Sequence, residues 1–208
     1  MSSSSLWTID NNFNGNEYED FSNSWLVSPM VWDVLFEKYL PHKVQGPFGR
    51  QRYMTAINFD PSIFEELNKL ACNSDIKEDK ILWILTNEQV FHSKDKQLVS
   101  SCLKNFLNVN FELTSDFGDH IHDRFNEVAE SILSIDENDH PYFVFKGTSV
   151  DDNVERWFET YDEESDEYIN ASFDKFNEIV TGFVFIENDS EIRFLNNLDY
   201  FKQKKEEA

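Results

Sequence analysis

Residue types that ligate metal ions cluster once in this sequence, at Asp119-His120-Ile121-His122-Asp123. On a strand, two histidines two residues apart share a face and could begin a zinc site. Ile121, however, belongs to an apolar stripe with helical spacing, and residues two apart on a helix are separated by about 200° around its axis. The spacing therefore predicts two solvent-facing histidines near a helix start, and we expect no metal there.

Residues for nucleophilic catalysis or phosphate binding form no recognisable motif. The sequence has no Gly-x-Ser-x-Gly, and the loop 46–50 lacks the Gly-x-x-x-x-Gly-Lys pattern that cradles phosphates. Cys72 and Cys102 lie among apolar residues of predicted helices, which favours free, buried thiols. Carboxylate pairs of the kind that hydrolyse glycosides are uninformative among 40 acidic residues. We therefore expect a protein that is not an enzyme and has no cofactor.

An acidic stretch with interleaved aromatic residues is the strongest candidate for a binding site. Nine acids and one arginine lie between positions 151 and 167. The candidate partner-binding residues are Asp151, Asp152, Glu155, Trp157, Glu159, Tyr161, Asp162, Glu163, Glu164, Asp166 and Glu167. The alternative is a solvated helix face followed by an acidic loop that serves only solubility. As a docking face, the carboxylates would speed encounter with a basic partner, and the aromatic side chains would anchor the contact.

The overall charge supports a basic partner. The 208 residues include 40 Asp and Glu against 18 Lys and Arg, a formal net charge of -22. Such a charge argues against binding of nucleic acid or anionic membranes, since phosphate contacts need clustered basic residues. The loop 44–52 is nearly the only place where basic residues gather, as Lys38, Lys43, Arg50 and Arg52.

Helical periodicity is clearest between residues 60 and 133. Three helices are predicted there, one opened by Asp60-Pro61, one capped by Ser93 and one over 117–133. Their apolar stripes are Ile63, Phe64, Leu67, Leu70 and Ala71; Leu98, Val99, Cys102, Leu103, Phe106 and Leu107; and Phe117, Ile121, Phe125, Val128, Ile132 and Leu133. An earlier helix is predicted to start at Ser28-Pro29 and to end before Pro41. Short helices are predicted at 154–161 and 173–180.

Strand patterns are weaker and lie mostly later in the chain. The segments 53–59, 81–85 and 142–145 are predicted as strands, and alternating apolar residues around 188–190 predict a hairpin. The continuous apolar run 81–85 also fits a buried helix, and residues 10–24 fit an irregular arm. The sequence therefore predicts an α+β fold, with helices mainly in the N-terminal two-thirds packed on a small, mostly antiparallel sheet with a C-terminal hairpin. We expect one domain over 1–208, with a subdomain break near 136–141 as the alternative.

These features lead us to expect a cytoplasmic binding protein. Residues 1–7 lack a secretory leader pattern, and the longest apolar run is far below the ~20 residues of a membrane span. The most concrete form of such a binding protein is an immunity or inhibitor protein that neutralises a nuclease-type bacterial toxin. A nuclease is basic where it holds phosphate, so its inhibitor is expected to be acidic. The same charge fits a DNA-mimic protein that acts against restriction or other DNA-binding proteins. An enzyme of unknown chemistry is the third alternative, which a deep polar pocket would favour.

Overall fold

The computed structural model describes residues 3–12, 14–22, 26–146, 159–170, 183–187 and 191–195. Seven α-helices lie in these ranges: α1 Val27–Tyr39, α2 Tyr53–Phe59, α3 Ser62–Cys72, α4 Lys77–Leu85, α5 Lys96–Val109, α6 Phe111–Thr114 and α7 Asp119–Ser134. The strands in the same ranges are β1 Ser3–Ile9, β2 Gly15–Ser22, β3 Gln45–Gly46, β4 Gly49–Arg50, β5 Val90–His92, β6 Tyr142–Lys146, β7 Glu159–Asp162, β8 Glu167–Asn170, β9 Phe183–Glu187 and β10 Glu191–Leu195.

The main sheet has the strand order β10-β9-β5-β6-β1-β2. Four of its strands, β5, β6, β1 and β2, pair antiparallel, and β9 joins β5 in parallel. Strands β9 and β10 form the predicted C-terminal hairpin. The α+β class, with the helices mostly N-terminal, is confirmed.

The hydrophobic core joins the helices to one face of this sheet. Alternate residues of β6, Phe143 and Phe145, share a buried cluster with residues from α1 to α5 and α7. The predicted stripes of α5 and α7 supply much of that cluster, and Phe106 and Phe125 stack with ring centroids 6.0 Å apart. The stripe of α3 is only partly right, because Ile63, Leu67 and Ala71 are buried whereas Phe64 and Leu70 are exposed.

The N-terminal segment is a hairpin rather than an irregular arm. β1 and β2 pair in register from Ser3 opposite Ser22 to Ile9 opposite Gly15, with one shift between Leu6 and Trp7. Residues 16–20 of β2 are exposed and mostly polar because β2 is the edge strand of the sheet. Edge strands commonly carry charged side chains, so a polar composition did not reveal this strand.

The segment 53–59, predicted as a strand, forms helix α2. The N-cap residue Arg52 makes no side-chain capping bond. Instead, Asp33 of α1 accepts a hydrogen bond from the Tyr53 amide at 2.8 Å, which satisfies one of the free N–H groups at the helix start. Arg52 donates to the other oxygen of that carboxylate at 3.0 Å. The cap comes from another helix and is therefore invisible in the local sequence.

The apolar run 81–85 is the second half of helix α4 rather than a strand. All five of its side chains are buried, because α4 lies between α1, α3 and α5. A helix buried on every side loses the periodic pattern that distinguishes it from a buried strand. The acidic residues Glu78 and Asp79 occupy its first turn, where negative charge is favourable.

Two predicted caps are also wrong. Ser28 lies inside the first turn of α1, which begins at Val27, and Ser93 begins a 3-10 turn, Ser93–Asp95, that leads into α5. Both side chains are buried, and neither hydroxyl forms a hydrogen bond within the described part of the chain. Residues 154–158 and 173–180 of the two short predicted helices lie outside the described residues, and 159–161 belong to strand β7.

Candidate functional site

The described part of the acidic stretch forms a β-hairpin, which we call the acidic hairpin (Glu159–Asn170). β7 and β8 pair antiparallel from Glu159 opposite Asn170 to Asp162 opposite Glu167. The loop 163–166 is closed by a hydrogen bond from the Asp166 amide to the Asp162 carbonyl at 3.0 Å. Asp166 has a φ of 59°, a left-handed conformation that Asp tolerates better than most residues.

Two tyrosines stand on one face of the acidic hairpin. Tyr161 and Tyr168 are directly opposed across the strands, and their rings meet edge to face with centroids 5.4 Å apart. The two residues remain 47% and 70% exposed. The Tyr161 hydroxyl donates to the Asp166 carboxylate, and this bond raises the pKa of Tyr161 above its ordinary value. The rings are therefore held in place while about half of Tyr161 and most of Tyr168 face solvent.

The carboxylates of the acidic hairpin are crowded. Asp162 lies opposite Glu167, and like charges in opposed positions destabilise a strand pair. The Ser165 hydroxyl donates to Asp162 at 2.7 Å, and the Glu164 amide does so at 3.3 Å. These bonds, that from Ser165 first, lower the pKa of Asp162. The arrangement accepts ion pairs and hydrogen bonds from a cationic surface, which would relieve the repulsion.

The structure brings together most of the predicted site residues that it describes. Tyr161, Asp162, Glu163, Glu164, Asp166 and Glu167 all lie at the tip of the acidic hairpin, and Glu159 begins its first strand. The predicted residues Asp151, Asp152, Glu155 and Trp157 lie outside the described residues. Sequence reasoning missed Ser165 and Tyr168 as site residues, because the predicted helix put no cross-strand neighbour beside Tyr161.

The basic residues around 44–52 are occupied by ion pairs. Lys38 lies 2.5 Å from Asp79, Lys43 lies 2.8 Å from Glu66, and Arg52 lies 3.0 Å from Asp33. Arg50 pairs with Glu37. These four basic residues are thus neutralised by acids of the same chain. A groove beside them, of about 390 Å³, is lined by the two arginines, by their partners Asp33 and Glu37, and by one further carboxyl group, that of Asp116.

The histidines lie where the helical spacing placed them. His120 and His122 are in the first turn of α7, and both are exposed, while Ile121 between them is buried. In the described ranges, no group of three or more His, Cys, Asp or Glu residues has the arrangement of a metal site.

A buried polar network is the arrangement that most resembles a catalytic centre. Asp79 accepts hydrogen bonds from Lys38, Tyr39 and Asn110, at 2.5, 2.6 and 2.9 Å. Burial, followed by the bond to Asp79, raises the pKa of Tyr39 far above its ordinary value. Asp79 itself is inaccessible to solvent, and both of its oxygens are engaged. The network therefore serves to join α1, α4 and the residue that follows α5.

No family model matches the chain, and no curated protein or solved structure is significantly similar to it. None of the described helices has the length and apolar character that crossing a bilayer requires. What this chain does must therefore be inferred from its own residues and their geometry.

Proposed function

We propose that this chain is an acidic, cytoplasmic binding protein that neutralises a basic protein, and that the acidic hairpin is its docking site. The most concrete form of this function is an immunity protein that covers the cationic cleft of a nuclease-type toxin. The observation that carries the proposal is the tip of the acidic hairpin, where five acidic residues lie in the loop and the last strand pair, next to an exposed pair of tyrosines that Asp166 holds through Tyr161.

The chemistry of the acidic hairpin suits a nuclease cleft. Such a cleft presents lysine and arginine side chains spaced to hold phosphates. Carboxylates replace phosphates as acceptors, and arginine pairs with them through two parallel hydrogen bonds. Tyr161 and Tyr168 add large, partly immobilised rings of the type that often dominates interface energies.

The distribution of charge supports the same partner. The net charge of -22 attracts a basic protein over distances of about a Debye length. The basic cluster Lys38, Lys43, Arg50 and Arg52 is paired with acids of the same chain and offers little attraction to nucleic acid. Crowding of Asp162 and Glu167 adds a local cost in the free protein that a cationic partner removes.

Two variants of equal charge separate a docking site from a general charge effect. Each changes five acids to amides, which moves the net charge from -22 to -17 (-22 plus 5). The site variant combines Asp162→Asn, Glu163→Gln, Glu164→Gln, Asp166→Asn and Glu167→Gln. The control variant changes exposed acids elsewhere: Glu19→Gln, Asp20→Asn, Glu112→Gln, Glu137→Gln and Asp139→Asn.

Wild type and both variants are immobilised and exposed to extract of the native host. We expect that immobilised wild type and the control variant bind a basic protein from the extract and that the site variant does not bind it. The purified captured protein should cleave nucleic acid, and one equivalent of the wild-type chain should abolish that cleavage. A captured protein that the site variant retains equally contradicts the acidic hairpin as the site. A partner without nuclease activity contradicts the immunity function.

A further inference from the structure

A cavity of about 480 Å³ opens between α3 and the loop that connects α4 to β5. Its α3 wall is the row Phe64, Asn68 and Cys72, at four-residue spacing. This row lies next to the buried row of α3 and was not recognised from the sequence, since Phe64 seemed part of the core face. The volume is within the range of small-molecule sites, roughly 300–1,000 Å³.

The hydrogen bonds of Asn68 fix the orientation of its amide. Its Oδ1 accepts from the Trp83 indole Nε1 at 2.7 Å and from the Cys72 thiol at 3.4 Å. An indole N–H can only donate, so the oxygen of Asn68 must face Trp83. The Nδ2 group, which carries two donors, makes no hydrogen bond to the described residues and is left for a ligand.

Three other amides on the wall are fixed in the opposite sense. Asn73 donates to the Lys69 carbonyl at 2.7 Å, Asn87 to the Trp83 carbonyl at 2.6 Å, and Gln89 to the Asn87 carbonyl at 3.0 Å. A carbonyl can only accept, so each of these amides turns its nitrogen toward that carbonyl and leaves its oxygen without a partner among the described residues. The lining residues thus carry three free acceptors and one free donor group.

The charge of the wall distinguishes this cavity from the rest of the chain. Of the residues that the structure describes, no carboxylate lines it, and Lys69 is its one charged lining residue. A cationic ligand would meet Lys69 without a neutralising acid, and an anionic ligand would be opposed by the net charge of -22. A neutral ligand rich in hydroxyl groups satisfies both conditions, because hydroxyls donate to free amide oxygens and also accept from Nδ2 of Asn68.

We propose that this cavity is a binding site for a neutral sugar of one or two rings. The apolar face of the sugar lies on Phe64, whose ring is 42% exposed and is braced by Trp83 at a centroid distance of 5.9 Å. The sugar hydroxyls donate to Asn73, Asn87 and Gln89. The proposal is independent of the acidic hairpin, since it rests on other elements and other chemistry.

The two cysteines provide a direct test of occupancy. Cys72 lines the cavity and is partly exposed, whereas Cys102 is inaccessible to solvent, so the two thiols should differ in their reaction with iodoacetamide. Burial raises the pKa of both thiols, that of Cys102 to about 12. The rate of Cys72 alkylation is followed by mass spectrometry on the intact, folded chain. Cys102 reports any unfolding.

The probes are glucose, galactose, mannose, N-acetylglucosamine and sucrose, each at about 20 mM. A ligand of about twelve heavy atoms with the ligand efficiency of drug-sized molecules has a Kd on the order of 2 mM. At least one sugar should therefore slow Cys72 alkylation about tenfold, since roughly one chain in eleven stays unoccupied. Glycerol at the same hydroxyl concentration controls for solvent effects.

Three variants assign the effect to the cavity. Asn68→Asp keeps the oxygen that accepts from Trp83 and Cys72 but replaces the free donor by an acceptor. The Kd of the protecting sugar, obtained from its effect on Cys72 alkylation, should rise about fivefold. Phe64→Ala removes the stacking surface, and the Kd of the sugar should rise by a similar factor. Phe111→Ala removes an exposed ring elsewhere and should leave protection unchanged.

The proposal is overturned if no sugar slows alkylation more than glycerol does. It is also overturned if agmatine or adenosine, at the same concentration, protects Cys72 better than every sugar, because the site then selects a cation or a nucleobase. Equal loss of protection in Phe111→Ala and Phe64→Ala would show that the sugar acts elsewhere.

Discussion

Replacement of Asp79 should destabilise this protein more than replacement of any exposed acid. Its carboxylate is inaccessible to solvent and lies in the first turn of α4. One oxygen accepts from Lys38 at 2.5 Å and from Tyr39 at 2.6 Å, and the other accepts from Asn110 at 2.9 Å. Lys38 also donates to Asn110 at 2.6 Å, and Tyr39 shares a hydrogen bond with Ser74 at 2.7 Å, so five side chains share one network.

Asp79→Ala removes the only carboxylate of that network. It removes the counter-ion of the Lys38 ammonium, which keeps only the neutral Asn110 oxygen, and the charged acceptor of Tyr39 and Asn110, in a place that water reaches poorly. Removing one partner of a buried ion pair costs about 3–5 kcal/mol. Tyr39→Phe removes the bond to Asp79 and the bond to Ser74 but leaves Asp79 with two donors, so we expect a smaller loss of about 1.5–3 kcal/mol.

The free energy of unfolding is measured by urea denaturation at neutral pH, followed by tryptophan fluorescence. A double-mutant cycle of Asp79→Ala with Lys38→Met should give a coupling energy of about 1–3 kcal/mol, because the second change removes the orphaned charge. Glu65→Ala, an exposed acid in the first turn of α3, is the matched control and should stay within about 0.5 kcal/mol of wild type. A loss below about 1 kcal/mol for Asp79→Ala, or strict additivity in the cycle, would refute this reasoning.

Three further predictions concern charge, histidine and tyrosine. The rate of association with a basic partner should fall about tenfold or more from low to high salt in stopped-flow measurements, and a flat rate would exclude electrostatic steering. The double variant His120→Ala with His122→Ala should change unfolding free energy by less than about 0.5 kcal/mol, and stoichiometric zinc in wild type that the variant lacks would contradict the prediction. Burial raises the pKa of Tyr53 and Tyr142 to about 12, against about 10 in an unfolded chain. The contribution of these two phenols to stability should therefore be constant below about pH 10 and be lost between about pH 10 and 12, because the unfolded state loses the phenol protons first. Urea midpoints that stay constant between about pH 10 and 12 would contradict the burial of these tyrosines as the cause.

Local periodicity was enough to predict the helices that lie at the surface of the core. α5 and α7 each bury one stripe and expose the opposite face, so their apolar spacing survives in the sequence. Strand β6 and the β9–β10 hairpin were predicted on another ground, because their short apolar runs are bounded by turn residues in the sequence. The negative charge and the acidic stretch at 151–167 are also properties of the sequence alone.

Interactions between distant segments decided the rest. α2 forms because Asp33 caps it from α1. The sequence of α4 resembles that of a strand because α1, α3 and α5 bury the helix on all sides. The pairing of Tyr161 with Tyr168, and the amide orientations around the cavity, depend on partners that no local pattern specifies. Composition and spacing record which face of an element is buried, whereas the neighbour that satisfies each polar group is chosen only when the chain packs, because that choice depends on residues far apart in sequence.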